Sequence, residues 1–243
     1  MTTFVLVHGA WGGSYSWRGF ANLLRADGHE VYTPSLTGLG ERSHLGGPDV
    51  SLTTHVTDVE NVFKYEGLSD VVLVGHSYGG MVVTGVAGRI PDLITHLIYS
   101  DAFLPRDGES CFGLGGAGGK ERASIEDGWK VLTMDRPVGN PTPEQLRQAS
   151  LRAPQPLGTL EEPVSLPTPL EELPFSRTYV KATLNQPTRV GHFWDAYERA
   201  KGDSRWNAYE MPTGHGTYRE MPERFREILY EVAGLTAVAA KRG

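Results

Sequence analysis

A chain of 243 residues with 39% hydrophobic and 21% charged side chains has the length and apolar content for one sizeable core. Its formal net charge of -6, with no basic stripe, argues against nucleic acid and anionic membrane surfaces as partners. One cysteine, Cys111, excludes an intrachain disulfide. No apolar run approaches the ~20 residues of a membrane span.

Read in order, short apolar runs alternate with stretches of helical spacing. Phe4-Val5-Leu6-Val7 reads as a buried parallel strand. The start, Met1 to Phe4, enters that strand without the features of a signal peptide, so the expected location is the cytosol. Ser16 to Asp27 follows with Trp17, Phe20, Leu23 and Leu24 at helical spacing, and Gly28 is the stop. Glu30 to Thr33 is a second strand and Leu52 to Tyr65 a second helix. Asp70 to Val74 is a third strand, and a helix from Met81 ends near Pro91. His96 to Tyr99, Thr178 to Ala182 and Trp206 to Met211 complete the strands. Pro222 to Val232 is the last helix. This alternation predicts the α/β class: a mostly parallel sheet of about six strands with helices on both faces.

From Pro105 to about Pro174 the alternation stops. The segment carries the glycine run Gly113 to Gly119 and a proline-rich stretch from Pro137 to Pro174. So long an interruption between two strands predicts a working insertion. It is expected to cap residues 1–104 and 175–243, with short helices over Ile125 to Thr133 and Glu144 to Leu151. Cys111 falls here, as a free thiol with no assigned role.

Gly75-His76-Ser77-Tyr78-Gly79 joins the third strand to the third helix. Glycine-flanked serines also arise by chance among 30 glycines. The strand before and the helix after supply the context of a nucleophile elbow. A serine hydroxyl needs a base within reach. Among eight histidines, His215 in Thr213-Gly214-His215-Gly216 follows the last strand, on the carboxyl edge where Ser77 would stand. His29, His44, His55, His96 and His192 fall in helices, other loops or strand starts and read as surface or core residues. His76 is expected to pack locally. Two N–H groups would hold an oxyanion, those of Tyr78 and Ala10. Ala10 lies in the loop His8-Gly9-Ala10-Trp11-Gly12-Gly13. That loop lacks the spacing of a dinucleotide or Walker phosphate site.

Leu6-Val7-His8-Gly9-Ala10-Trp11, the elbow and Gly214-His215 together resemble the α/β-hydrolase superfamily. The resemblance covers essentially the whole chain. Within the superfamily it is similar to the small single-domain group of plant methylesterases, hydroxynitrile lyases and bacterial esterase relatives. That group implies a carboxylate orienting the histidine, usually after the strand before the histidine strand. Here that loop reads Thr183-Leu184-Asn185-Gln186-Pro187, with Asn185 at the expected position. An amide cannot stabilise an imidazolium. Asp101, ending the strand from His96, lies at the same edge and keeps the order Ser77, Asp101, His215. Asp101 and Asn185 thus both stand as orienters, with Asp101 preferred. Asp101 could instead cap the segment that follows.

Trp11, Phe103 and Trp129, with Tyr78 and Phe112, are the expected pocket residues, suited to an apolar or aromatic substrate. No metal-ligand spacing and no cofactor motif emerge. The reaction expected is hydrolysis of a small apolar or aromatic ester or lactone through an acyl-enzyme. A lyase or carbon–carbon bond hydrolase on the same residues is one alternative. A receptor-like binding protein with a vestigial site is another. The expected partner is a small-molecule substrate and, at most, a second copy of the chain.

Overall fold

The computed structural model describes residues 1–115, 119–133, 139–184 and 191–235. In chain order the elements are β1 (Thr3–Val7), α1 (Arg18–Ala26), β2 (Glu30–Tyr32), α2 (Leu52–Glu66), β3 (Val71–His76), α3 (Gly79–Arg89) and β4 (Ile94–Ser100). Then come β5 (Ile125–Glu126), β6 (Lys130–Val131), α4 (Pro143–Ser150), β7 (Gln155–Pro156) and α5 (Gly158–Glu161). The chain closes with β8 (Ser176–Ala182), α6 (Gly191–Lys201), β9 (Trp206–Met211), α7 (Thr217–Glu220) and α8 (Pro222–Val232).

Six strands form one sheet in the order β2-β1-β3-β4-β8-β9, every neighbouring pair parallel. Strand residues alternate between its faces, as a period of two requires. Phe4, Leu6, Val72 and Val74 pack with Trp17, Phe20, Leu24, Phe225 and Ile228, so α1 and α8 cover one face. Val5, Val7, Leu73 and Leu97 pack with Val56, Val59, Val82, Val86 and Phe193, so α2, α3 and α6 cover the other. Burial on both faces explains why these strands read as continuous apolar runs. Gly28, at φ +85°, ends α1 where the sequence predicts.

This topology decides where a ligand belongs. The chain passes from β1 to the sheet edge at β2, then crosses back to β3 on the other side of β1. In open parallel sheets the crevice at such a reversal, outside the carboxyl ends of the strands, is where ligands bind. The loop after β1 and the turn after β3 both open there.

The insertion differs from expectation at one place. Ile125 to Thr133 is no helix: Ile125 pairs with Val131 and Glu126 with Lys130 in an antiparallel hairpin, and β6 also pairs with β7. Asp127 and Gly128 sit at φ 51° and 74° between the strands. Two successive left-handed residues reverse the chain and cannot continue a right-handed helix. The second expected helix is α4. Thr142 caps it by accepting from the Gln145 amide at 3.2 Å, while the Gln145 side chain accepts from the Thr142 amide at 2.8 Å. Cys111 is buried in the core cluster that faces the insertion.

Candidate active site

Sterics fix the turn after β3. Ser77 sits at φ 54°, a left-handed conformation that a non-glycine residue holds only under constraint. A Cβ on Gly75 would stand 2.6 Å from Val83 Cγ2 and 2.8 Å from the Gly79 carbonyl oxygen. One on Gly79 would stand 2.7 Å from the Val7 carbonyl oxygen. The glycines two before and two after Ser77 are thus spaces through which β1, β3 and α3 touch. A third space lies outside the Gly-x-Ser-x-Gly pattern: a Cβ on Gly80 would fall 2.0 Å from the Phe103 carbonyl oxygen. The Ser77 carbonyl in turn accepts from the Phe103 amide at 3.1 Å.

Asp101 follows β4 at φ 42°, a conformation that aspartate tolerates better than most residues. Its amide donates to the Val180 carbonyl at 2.8 Å. Its carboxylate is wholly buried, and Oδ2 accepts from His215 Nδ1 at 2.7 Å. Oδ1 accepts from the Lys181 ammonium at 2.7 Å and from the Ala182 amide at 3.3 Å. Burial by itself would raise the carboxyl pKa. The hydrogen bond and charge of His215, with the charge of Lys181, outweigh it and hold the group below its usual range.

His215 is held from several sides. The ring of His76, next to Ser77, donates from Nε2 to the His215 carbonyl at 2.9 Å. Phe193 stacks on the His215 ring at 5.3 Å between centroids and 11° between planes. Behind the loop, Gly214 donates its amide to Glu220, and Ser100 Oγ shares a hydrogen bond with Thr217 Oγ1 at 2.6 Å. Burial, then the charge of His215, push His76 well below the ordinary imidazole value.

Asp101 and His215 therefore meet in a direct hydrogen bond, and Ser77 follows β3 at the same edge of the sheet, next to the His76 ring that touches the His215 ring. Asn185 lies outside the described residues. Tyr78 immediately precedes α3, where backbone N–H groups have no intrahelical acceptor. Ala10 and Trp11 lie on the loop after β1, with Trp11 at φ 58°. Trp11 joins that loop to the insertion. Its indole donates to the Val131 carbonyl at 2.8 Å and its amide to Gln155 Oε1 at 3.0 Å. Phe103 is buried beside the elbow and stacks on His192 at 4.5 Å. Trp129 lies on the hairpin, where its ring would crowd any Cβ on Gly46. Among the described residues no group of three or more His, Cys, Asp and Glu side chains could hold a metal ion.

Three side chains beside the site stand apart from the sequence reading: His192, expected as a surface or core residue, and Phe193 and Lys181, given no role there. His192 and Phe193 start α6, a helix without a strong apolar stripe in the sequence. Burial, then the charge of His215, lower the pKa of His192 to about 4. Lys181 did leave a signal, as a lysine inside the otherwise apolar run Tyr179-Val180-Lys181-Ala182.

The model of the alpha/beta hydrolase family matches residues 4–228. The chain belongs to that family. This hydrolase is similar to the Carbendazim hydrolyzing esterase of Nocardioides sp. (strain SG-4G), 38% identical over 94% of the chain and 98% of the relative. It is 34% identical to Methylesterase 2 of Arabidopsis thaliana over 42% of the chain and 40% of that protein. Among solved structures, a pyrethroid hydrolase from Sphingobium faniae JZ-2 superposes with a TM-score of 0.72 at 22% identity. That match covers 96% of this chain and 97% of the other. The resemblance to methylesterases and bacterial esterases read from the loop, elbow and histidine motifs is thus borne out, as is the fold.

Proposed function

We propose that the chain is a serine esterase that cleaves a small apolar or aromatic ester or lactone through an acyl-enzyme. The observation that carries this reading is the 2.7 Å bond between His215 Nδ1 and the buried Asp101 carboxylate, at the sheet edge that presents Ser77. With Nδ1 donating to Asp101, the other ring nitrogen, Nε2, is left as the base. His215 takes the proton of Ser77 Oγ as that oxygen attacks the ester carbonyl carbon. The Tyr78 and Ala10 N–H groups receive the oxyanion; one such donor is typically worth about 3 kcal/mol in the transition state. His215 returns the proton to the leaving alcohol, and water cleaves the acyl-enzyme by the same route. A relative named as an esterase, matched over nearly its full length, supports the ester as substrate class.

The aromatic residues Trp11, Phe103 and Trp129 suit an apolar acyl or alcohol group. The insertion serves as the cap, a reading supported by its three hydrogen bonds to Trp11. The test is turnover of short p-nitrophenyl esters by wild type and Ser77→Ala. A loss of about 10³-fold or more is expected in the variant; equal activity in both proteins refutes the nucleophile. Product analysis separates hydrolysis from a lyase reaction on the same residues.

A further inference from the structure

Lys181 has no part in the reaction as drawn, yet it lies against its carboxylate. Its side chain is wholly buried on β8, a rare state for lysine unless it is paired. The ammonium donates to Asp101 Oδ1 and to the Ala182 carbonyl, each at 2.7 Å, and lies 4.6 Å from the centre of the Trp194 ring. Dehydrating both charges costs much of what their attraction returns, and apolar side chains of similar volume often serve stability as well. Stability alone is therefore a weak reason for this pair. The arrangement is also directional: Lys181 holds one carboxylate oxygen and His215 binds the other.

We propose that Lys181 is a positioning residue for the catalytic carboxylate, fixing Asp101 with one oxygen toward His215 and tempering its charge. This rests on the serine esterase reading above. With a neutral imidazole, the cluster of Lys181, Asp101 and His215 carries no net charge. Protonating the imidazole makes it +1. Without Lys181 the same two states carry -1 and 0. The Asp101 and Lys181 side chains are wholly buried beside a half-exposed His215, and protonation of the ring is easier in the second case, where no fixed positive charge stands next to the carboxylate. Removal of the Lys181 charge is therefore expected to favour the protonated ring in the variants. Other titratable groups around the cluster are His76 at the end of β3, His192 and Asp195 on α6, Tyr179 on β8 and Arg219 on α7. His76 and His192 are kept neutral in large part by burial.

The experiment is the pH profile of kcat/KM for a short p-nitrophenyl ester with wild type, Lys181→Met and Lys181→Gln. The acid-side fall of activity should move up by about one pH unit or more in both variants, with the alkaline plateau kept within about tenfold. An acid limb unmoved in both single variants overturns the proposal. Should neither variant fold, thermal unfolding of Asp101→Asn and Asp101→Asn/Lys181→Met decides. The double variant buries no unpaired ammonium and should melt several degrees higher; a lower Tm overturns the pairing. A fluorophosphonate probe on wild type separates the two readings. No label on Ser77 defeats the esterase mechanism, whereas a labelled Ser77 with an unmoved acid limb defeats only the role of Lys181.

Discussion

His76 donates its ring Nε2 hydrogen to the backbone carbonyl of His215 at 2.9 Å, so the residue before the proposed nucleophile grips the residue proposed as its base. The elbow and the histidine loop lie 139 positions apart in sequence and are fastened to each other directly. Tilted contact of the two rings, 4.6 Å between centroids, adds to the fastening.

His76→Ala should therefore act on chemistry more than on binding. The loss of one buried hydrogen bond weakens the fold by about 1 kcal/mol. A loosened base costs more, because small misplacements near reacting atoms lower rates by up to about 10²-fold. Steady-state kinetics should show kcat down by about ten- to a hundredfold with KM within about threefold. A kcat within twofold of wild type would sink the anchoring role.

Asp101→Asn should fail twice. An amide at this position cannot support the imidazolium; in one serine protease this change lowers kcat by about 10⁴. It also leaves the buried Lys181 ammonium without its anionic partner, at a cost of about 3–5 kcal/mol. Kinetics and urea unfolding on the same preparation check both losses. A large kinetic loss without destabilisation would mean that Lys181 finds another acceptor.

Gly80→Ala adds one methyl group and meets backbone. The added carbon would stand 2.0 Å from the Phe103 carbonyl oxygen, which no side-chain rotation can move away. The turn after β3 or the segment after Asp101 must shift. A stability loss of about 3 kcal/mol is expected, at the upper end for overpacking. Thermal unfolding measures it, and a loss under about 1 kcal/mol would mean that the two segments yield more easily than their spacing suggests.

Acid should weaken the fold well above the carboxylate range. Burial lowers His8 and His55 to about 4, and partly buried His192 to about 4 as well. A histidine whose folded pKa is depressed binds its proton only on unfolding once the pH is below about 6.5. Stability is then lost as pH falls from about 6.5 toward 4. The wholly buried His8 and His55 together contribute a slope of about 2.7 kcal/mol per pH unit within that window. Urea midpoints between pH 7 and 5 test this. A flat profile there would show that these imidazoles protonate in place.

Much of this was legible in the sequence, for physical reasons. Strands buried on both faces are apolar throughout, so β1, β3 and β4 stand out as runs. The elbow is legible because its glycines are steric necessities rather than preferences. Asp101 could be placed because ending a central strand fixes which edge a residue reaches. The hairpin at Asp127-Gly128 is not legible, because a short amphipathic stretch fits either period and two left-handed residues in succession leave only the weak signal of an Asp-Gly pair. His192, Phe193 and Lys181 are harder to assign: a lysine inside an apolar strand signals only that it is buried, and their partners are contacts made across the fold that spacing along the chain does not record.

The buried Cys111 gives the insertion a clock. Its thiol is 2% exposed, and burial pushes its pKa up, so a thiolate-directed reagent has neither access nor nucleophile in the closed molecule. As the sole cysteine of 243 residues, it makes the rate of thiol modification a report on how often the chain around Cys111 becomes exposed, by local opening or by unfolding, without any engineered label.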